Sequence, residues 1–250
     1  MSLSDRWQAF RLHQRYRKGQ PVSLLGGSLS GGVTVTAHSG CMSLPDNSLE
    51  AMAAGIAAGA GIMEFDLNYT ADGTPVLSHD KPADGSSCVT LAEAFTFLAQ
   101  HKGVQANVDV KSTERLELVP PLAAQAGVTE QIFFTGVREQ DVAAVREKCP
   151  GIPYYLNTSV HRGDDLKALV KKTAALGAVG LNINWKSASP KLIRAFHQKG
   201  MPVSVWTVNR AARAIEMALL GADNITTRRP DLVCRLIGSA EQKRDEAKEL

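Results

Sequence analysis

The sequence predicts a (β/α)8 barrel, also called a TIM barrel, folded as a single α/β domain. The chain has 250 residues, of which 44% are hydrophobic and 21% charged, enough to bury one large core. Short β-branched runs alternate with helical stretches of roughly 10–15 residues, as in parallel strand–helix units. Eight such units fill about 200 residues, the usual size of this barrel. The competing doubly wound open sheet usually has fewer strands.

The repeat predicts strands and helices in strict alternation. The predicted strands are 33–38, 62–67 with an extension at 75–79, 104–110, 131–135, 154–157, 180–184, 202–208 and 224–227. The predicted helices are 48–58, 91–100, 122–125, 140–148, 165–176, one that follows residue 189, 211–220 and one from 231.

Prolines and a serine indicate where two of the helices begin. Ser189 and Pro190 supply an N-cap and a first helical residue. Pro120 and Pro121 are expected near the start of their helix, because proline is poorly tolerated inside one.

Both ends of the chain lie outside the repeat. Residues 1–32 combine Trp7, Phe10 and Tyr16 with several basic residues, which predicts a basic helix and loop that close one end of the domain. Peripheral contact of this helix with a membrane surface is an alternative. The barrel is expected over 33–240, followed by a polar tail over 241–250.

Composition and charge indicate which classes of partner and which cellular location to expect. The net charge is only +3, so a nucleic-acid partner is not expected. No stretch approaches the roughly 20 apolar residues of a transmembrane helix, and no signal-peptide pattern is present. The four cysteines lack metal-site or disulfide spacing. These features predict a cytoplasmic protein, and the oligomeric state is left open.

Polar residues occupy the carboxyl ends of the predicted strands, where active sites of this barrel lie. Side chains two residues apart on a strand share a face, which pairs Glu64 with Asp66 and Asp109 with Lys111. Three clustered carboxylates form an oxygen cage suited to Mg²⁺ or Ca²⁺. Their mutual repulsion requires either such a cation or Lys111 to neutralise them.

Two histidines end predicted strand segments near these carboxylates, within short motifs that follow one another in order. The motifs are Ala37-His38-Ser39-Gly40, Pro45-Asp46-Asn47-Ser48-Leu49-Glu50-Ala51, Met63-Glu64-Phe65-Asp66, Asp72-Gly73-Thr74-Pro75-Val76-Leu77-Ser78-His79-Asp80, Asp109-Val110-Lys111, Val205-Trp206-Thr207-Val208-Asn209 and Thr226-Thr227-Arg228-Arg229-Pro230-Asp231. They resemble the glycerophosphodiester phosphodiesterase family, with its His-Arg-Gly, Glu-x-Asp, His-Asp and Trp-Thr-Val-Asn motifs. Asp109 is also similar to the third ligand of a related branch, the sphingomyelinase D-like phospholipases.

The resemblance implies one divalent cation, Mg²⁺ or Ca²⁺ with Mn²⁺ as an alternative, held by Glu64, Asp66 and Asp109. It also implies that His38 and His79 form an acid–base pair. Histidine suits both proton transfers near neutral pH, and Lys111 can neutralise phosphate charge beside the metal. The nucleophile is either water or a neighbouring hydroxyl of the substrate.

The sequence departs from the family at the phosphate clamp, where Ser39 stands in place of an arginine. Arg228 is a candidate substitute and Arg162 a weaker one. Trp206 and Asn184 are further candidates for substrate contacts. The segment 81–89 is also short, so a more open mouth is expected.

Three functions remain open from the sequence. The first is hydrolysis of glycerophosphodiesters, small or lipid-derived, to an alcohol and sn-glycerol 3-phosphate. The second is a phospholipase D-like reaction on a bulkier, lysophospholipid-type substrate. The third is a barrel that binds a phosphorylated ligand without turnover, which only the loss of the arginine supports.

Overall fold

Within residues 32–83 and 87–237, which the computed structural model describes, eight parallel strands alternate with helices in a nearly closed barrel. The strands are β1 (Thr34–Ala37), β2 (Ile62–Tyr69), β3 (Pro75–Leu77), β4 (Gln105–Val110), β5 (Ile132–Thr135), β6 (Tyr155–Asn157), β7 (Gly180–Asn184), β8 (Val203–Trp206) and β9 (Asn224–Thr227). All are parallel to their neighbours except β3.

The helices cover the outside of the barrel. They are α1 (Leu49–Ala57), α2 (Leu91–Ala99), α3 (Val119–Ala126), α4 (Val142–Lys148), α5 (Leu166–Ala175), α6 (Pro190–His197) and α7 (Ala211–Leu220), followed by α8 at 230–237.

The strand order confirms the predicted barrel. The sheet runs β5-β4-β2-β1-β9-β8-β7-β6, so the first and last parallel strands pair with each other. Its two ends meet where Phe134 and Tyr154 form a parallel bridge, and Phe134 N donates to Pro153 O at 2.9 Å. The carboxyl ends of all eight strands therefore surround one opening.

The segment predicted as an extension of the second strand forms a separate antiparallel strand. β3 folds back on β2, with Leu67 paired to Leu77. The turn is closed locally, because Thr70 Oγ1 and Asp72 Oδ1 both accept from Thr74 N. Ser78 N then donates to Asp66 O at 3.0 Å, so the hairpin returns the chain to the end of β2.

The predicted helix starts agree with the structure. Ser189 caps α6, its hydroxyl accepting from Leu192 N at 3.3 Å. Pro120 and Pro121 occupy the first turn of α3, which begins at Val119 rather than at the predicted 122. Proline lacks the N–H that an interior helical residue must donate, whereas the first turn has no partner for that N–H.

A polar layer fills the barrel interior below the opening. Asn224 Nδ2 donates to Thr34 Oγ1 and Thr36 Oγ1 at 2.9 Å, and Ser204 Oγ donates to Asn224 Oδ1 at 3.0 Å. Between strands and helices the core is apolar, as in the edge-on contact of Phe65 with Phe95. Side chains above the polar layer are thus left to form a site.

The predicted basic helix and the tail over 241–250 lie outside the described residues. Within the described ranges, no helix combines the length and the apolar character needed to cross a bilayer.

Candidate active site

A cavity of about 940 Å³ opens at the carboxyl ends of the strands. Its lining includes most of the residues singled out from the sequence: His38, Glu64, Asp66, His79, Asp109, Lys111, Asn184 and Trp206. The structure thus brings together side chains from β1, the β2–β3 hairpin, β4, β7 and β8.

Three carboxylates form the acidic centre of this cavity. Glu64, Asp66 and Asp109 each offer an oxygen, and these atoms all lie within 4.8 Å of one another. Burial, followed by the charges of Asp66 and Asp109, raises the pKa of Glu64 well above its ordinary value. An all-oxygen, partly buried acidic set fits a hard divalent cation, which would remove this repulsion.

Lys111 is the positive partner of the acidic centre. Its Nζ lies 2.9 Å from Asp66 Oδ1 and also contacts Asp109 Oδ2. Burial acts to lower the pKa of Lys111, but Asp109 and Asp66 outweigh it and raise that pKa. One lysine against three carboxylates leaves negative charge available for a cation.

The His38 imidazole is fixed by contacts on its Nδ1 side, and the side chain is only 21% exposed. Nδ1 lies 3.1 Å from Ser39 Oγ and 3.8 Å from Glu64 Oε2. Burial first, and then the Arg228 cation, lower the pKa of His38 below its ordinary 6.5. The neutral form of His38 is therefore favoured near pH 7, and the residue lines the cavity.

His79 follows β3 and lines the cavity. Its side chain is 69% exposed, and Nδ1 lies 3.0 Å from Asp80 Oδ1. The two histidines thus differ in environment, one enclosed and one exposed to solvent.

Ser39 and Arg228 do not line the cavity. Ser39 is buried behind His38, and its N–H donates to Glu64 Oε2 at 2.8 Å. The Arg228 guanidinium donates to both oxygens of Asp46, at 2.8 and 3.3 Å. Arg162, the weaker candidate, is exposed and also outside the lining.

Asn47 is a functional candidate that sequence reasoning quoted in a motif without assigning it a role. Its Nδ2 donates to Asp66 Oδ2, and its Oδ1 accepts from Asp66 N, both at 2.9 Å. It holds this double contact from a left-handed backbone conformation with φ of 62°. Asparagine adopts that conformation more readily than most residues, which was the available signal.

Thr135 and Arg138, at the end of β5 and just beyond it, were also missed. Thr135 Oγ1 lies 2.7 Å from Asn107 Oδ1 and 2.9 Å from Asp109 Oδ1, and its single proton can be donated to either oxygen. Among the described residues, Arg138 is the arginine that lines the cavity. Only their position at the end of a predicted strand or just beyond it could have indicated them.

Neutral side chains line the wall formed by β6, β7 and β8. Asn157 and Asn182 lie side by side in register, and Asn184 Oδ1 accepts from Lys186 N at 3.0 Å. Trp206, 36% exposed, forms the apolar part of this wall. The cavity is thus acidic on one side and uncharged on the other.

The sequence model of the glycerophosphoryl diester phosphodiesterase family matches residues 38–87 and 81–232, which together span most of the chain. The chain belongs to this family. The predicted family and the prediction of an enzyme, a phosphodiesterase, are therefore confirmed. A sequence search of curated proteins found no match.

Solved structures of the same fold support the barrel. A glycerophosphodiester phosphodiesterase from Parabacteroides distasonis is 19% identical, with a TM-score of 0.69 over 86% of this chain and 100% of that one. One from Agrobacterium tumefaciens is 18% identical, with a TM-score of 0.68 over 81% and 99%. A phosphodiesterase from Oleispira antarctica, solved with the product sn-glycerol-3-phosphate, is 21% identical, with a TM-score of 0.67 over 82% and 96%.

Proposed function

We propose that this enzyme hydrolyses glycerophosphodiesters to an alcohol and sn-glycerol 3-phosphate, using one divalent cation and two histidines. The observation that carries the proposal is that both histidines, Lys111 and the acidic centre line one cavity. The sn-glycerol 3-phosphate bound to the Oleispira antarctica phosphodiesterase, a protein of the same fold, supports this choice of product.

Glu64, Asp66 and Asp109 would hold the cation, Mg²⁺, Ca²⁺ or Mn²⁺. When bound, it neutralises charge on the phosphoryl oxygens of the substrate. Lys111 adds a second positive charge on the same side, fixed in place by Asp66 and Asp109.

The two histidines divide the proton transfers. With its proton on Nδ1 and directed to Ser39 Oγ, His38 presents an unprotonated Nε2 that takes the proton of the nucleophilic hydroxyl. His79 donates a proton to the departing alkoxide and regains it from solvent, to which it is exposed. This division holds for the first step whether the nucleophile is water or the neighbouring hydroxyl of the substrate. If the hydroxyl attacks, the first product is a cyclic phosphodiester. Water then opens it to sn-glycerol 3-phosphate, with His79 taking the proton of the water and His38 returning its proton to the glycerol oxygen.

Among the arginines that the structure describes, Arg138 is the best placed to bind the phosphate, because it lines the cavity. Ser39, which stands where the family has its arginine, carries no charge. Arg228 would first have to leave Asp46, whose two oxygens it contacts. Arg138→Gln is expected to raise KM at least tenfold, whereas Arg228→Gln is expected to change KM little. The reverse result would assign the phosphate to Arg228.

Turnover assays test the main proposal. Glycerophosphocholine and glycerophosphoethanolamine are incubated with the enzyme and Mg²⁺, Mn²⁺ or Ca²⁺, and the release of sn-glycerol 3-phosphate is measured. His38→Ala is expected to lower kcat by about 10²–10⁴-fold. His161→Ala is the control, because His161 is exposed outside the cavity lining. Absence of turnover with every metal, or normal turnover by His38→Ala, would contradict the proposal.

A phospholipase D-like reaction on a lysophospholipid is the second candidate. The cavity of about 940 Å³ and the half-exposed Trp206 at its wall favour it, because an acyl-bearing substrate needs room and an apolar surface. A panel of lysophosphatidylcholines separates the two candidate functions, since a preference for the acylated diester over glycerophosphocholine would select the phospholipase D-like reaction.

The cytoplasmic location remains a prediction that fractionation of the native cells would test.

A further inference from the structure

Two carboxylates of the acidic centre have one oxygen each that an uncharged donor of the protein holds. Glu64 Oε2 accepts from the backbone N–H of Ser39 at 2.8 Å. Asp66 Oδ2 accepts from Asn47 Nδ2 at 2.9 Å, and Asn47 also accepts from the backbone N–H of Asp66, so this residue is held at two points. Ser39 and Asn47 are buried and lie outside the cavity lining, so neither donor belongs to the cavity surface.

The third carboxylate, that of Asp109, is held by the end of β5. Its Oδ1 lies 2.9 Å from Thr135 Oγ1, whose single proton has a second acceptor in Asn107 Oδ1. The charged carboxylate is the stronger acceptor of the two, and Asn107 can turn its amide to donate to the hydroxyl instead. Gly136 lies so close to the same oxygen that a Cβ there would be 2.6 Å from it. Each carboxylate therefore has one oxygen engaged by a neutral group.

The remaining oxygens face the cavity. Asp66 Oδ1 and Asp109 Oδ2 both contact Lys111 Nζ, and Lys111 lines the cavity. The long lysine side chain is flexible, so it can release these two oxygens to a cation more easily than a backbone N–H or a buried amide can. Together with Glu64 Oε1, the centre thus offers three oxygens, one from each carboxylate.

The number of oxygens offered distinguishes the candidate cations. Ca²⁺ takes about six to eight oxygen ligands and often binds a carboxylate through both of its oxygens. Mg²⁺ takes about six in an octahedron and keeps water or phosphate oxygens at several of those positions. Three single carboxylate oxygens therefore suit Mg²⁺ better than Ca²⁺.

We propose that the donors Ser39 N–H, Asn47 Nδ2 and Thr135 Oγ1 make the acidic centre selective for Mg²⁺ over Ca²⁺, because they restrict each carboxylate to one ligand oxygen. Mn²⁺, which also accepts octahedral oxygen ligands, is expected to follow Mg²⁺. This inference rests on the proposed function, since it takes the acidic centre as the site of the catalytic cation.

Calorimetric titration of the wild-type enzyme without substrate measures the selectivity. Mg²⁺ is expected to bind at least as tightly as Ca²⁺, although most oxygen sites that can bind through both carboxylate oxygens favour Ca²⁺. Tighter binding of Ca²⁺ than of Mg²⁺, or binding of neither cation, would overturn the inference.

Thr135→Val tests the cause of the selectivity. Valine nearly keeps the shape of threonine but lacks the hydroxyl, so Asp109 Oδ1 becomes available as a further ligand oxygen. The ratio of Ca²⁺ affinity to Mg²⁺ affinity is expected to rise about three- to tenfold, the worth of one hydrogen bond. Thr135→Ser is the matched control, since it keeps the hydroxyl and should keep the wild-type ratio. A residue that only orients Asp109 would lower both affinities by the same factor, so an unchanged ratio in Thr135→Val would contradict the inference.

These binding measurements need no turnover, which separates the inference from the proposed function. An enzyme that binds Mg²⁺ in preference to Ca²⁺ but releases no sn-glycerol 3-phosphate would contradict the proposed function alone. An enzyme that turns over glycerophosphocholine but binds Ca²⁺ in preference to Mg²⁺ would contradict this inference alone.

Discussion

Replacing Asn47 by glycine is expected to weaken metal binding without touching a metal ligand. Asn47 holds Asp66 by two hydrogen bonds of 2.9 Å, one to the carboxylate and one from the backbone N–H. Its φ of 62° is one that glycine adopts freely. Asn47→Gly therefore removes the two hydrogen bonds without straining the backbone.

The magnitude follows from these two contacts. A hydrogen bond to a charged group is worth about 1.5–3 kcal/mol, and one between neutral groups about 0.5–1.5 kcal/mol. Asp66 is buried, so water cannot easily replace Asn47. We expect the free energy of unfolding to fall by about 2–4 kcal/mol, and the affinity for a divalent cation to fall by about 10–100-fold because the ligand is no longer oriented.

Isothermal titration calorimetry with Mg²⁺, Mn²⁺ and Ca²⁺ measures the metal affinity of the wild-type and variant enzymes. Unfolding in urea measures their stability. Ser48→Ala is the matched control in the same loop. Ser48 caps α1 by accepting from Ala51 N, so its loss should cost about 0.5–2 kcal/mol of stability without changing metal affinity. Unaltered metal affinity in Asn47→Gly, or an equal loss in Ser48→Ala, would refute the reasoning.

Three further results are expected. Because His38 must be unprotonated to act as a base and burial lowers its pKa, the acidic limb of the kcat/KM profile should lie below pH 6.5; an acidic limb above 6.5 would contradict this. Ser39→Ala should lower kcat about three- to tenfold with stability nearly unchanged, because it removes the Nδ1 partner of His38. Gly136→Ala should lower the free energy of unfolding, measured in urea, by about 2 kcal/mol or more, since its φ is 74° and a Cβ would lie 2.6 Å from Val110 O. Gly127→Ala, with a similar φ of 69° and open space, should cost less, and an equal loss would exclude the contact as the cause.

The barrel could be predicted because its evidence is local. Each strand–helix unit has its own periodicity, and the caps at Ser189 and the proline pair before Leu122 follow from single-residue chemistry. The acidic centre was predictable for a similar reason. Side chains two apart on a strand share a face, so Glu64 and Asp66 had to face the same way wherever β2 lay.

The arginine that lines the cavity could not be predicted from the sequence. Arg228 follows β9, the neighbour of β1, yet its guanidinium is engaged with Asp46. Arg138, which no motif indicated, lines the cavity instead. Long side chains on loops are placed by their neighbours in space, and strand periodicity does not extend to them.

The sequence alone therefore determined the barrel, the family and the side chains that converge at the strand ends, because strand periodicity and motif order are written along the chain. Tertiary structure decided that His79 lies beside the acidic centre at the end of the β2–β3 hairpin and that Asn47 holds Asp66 by hydrogen bonds. It also decided that Asn182 Oδ1 has no hydrogen-bond partner among the described residues. Asn47 and Asp66 are 19 residues apart, and Asn157 and Asn182 are 25 apart. Contacts at such separations depend on the path of the loops and on barrel closure, which local sequence does not specify.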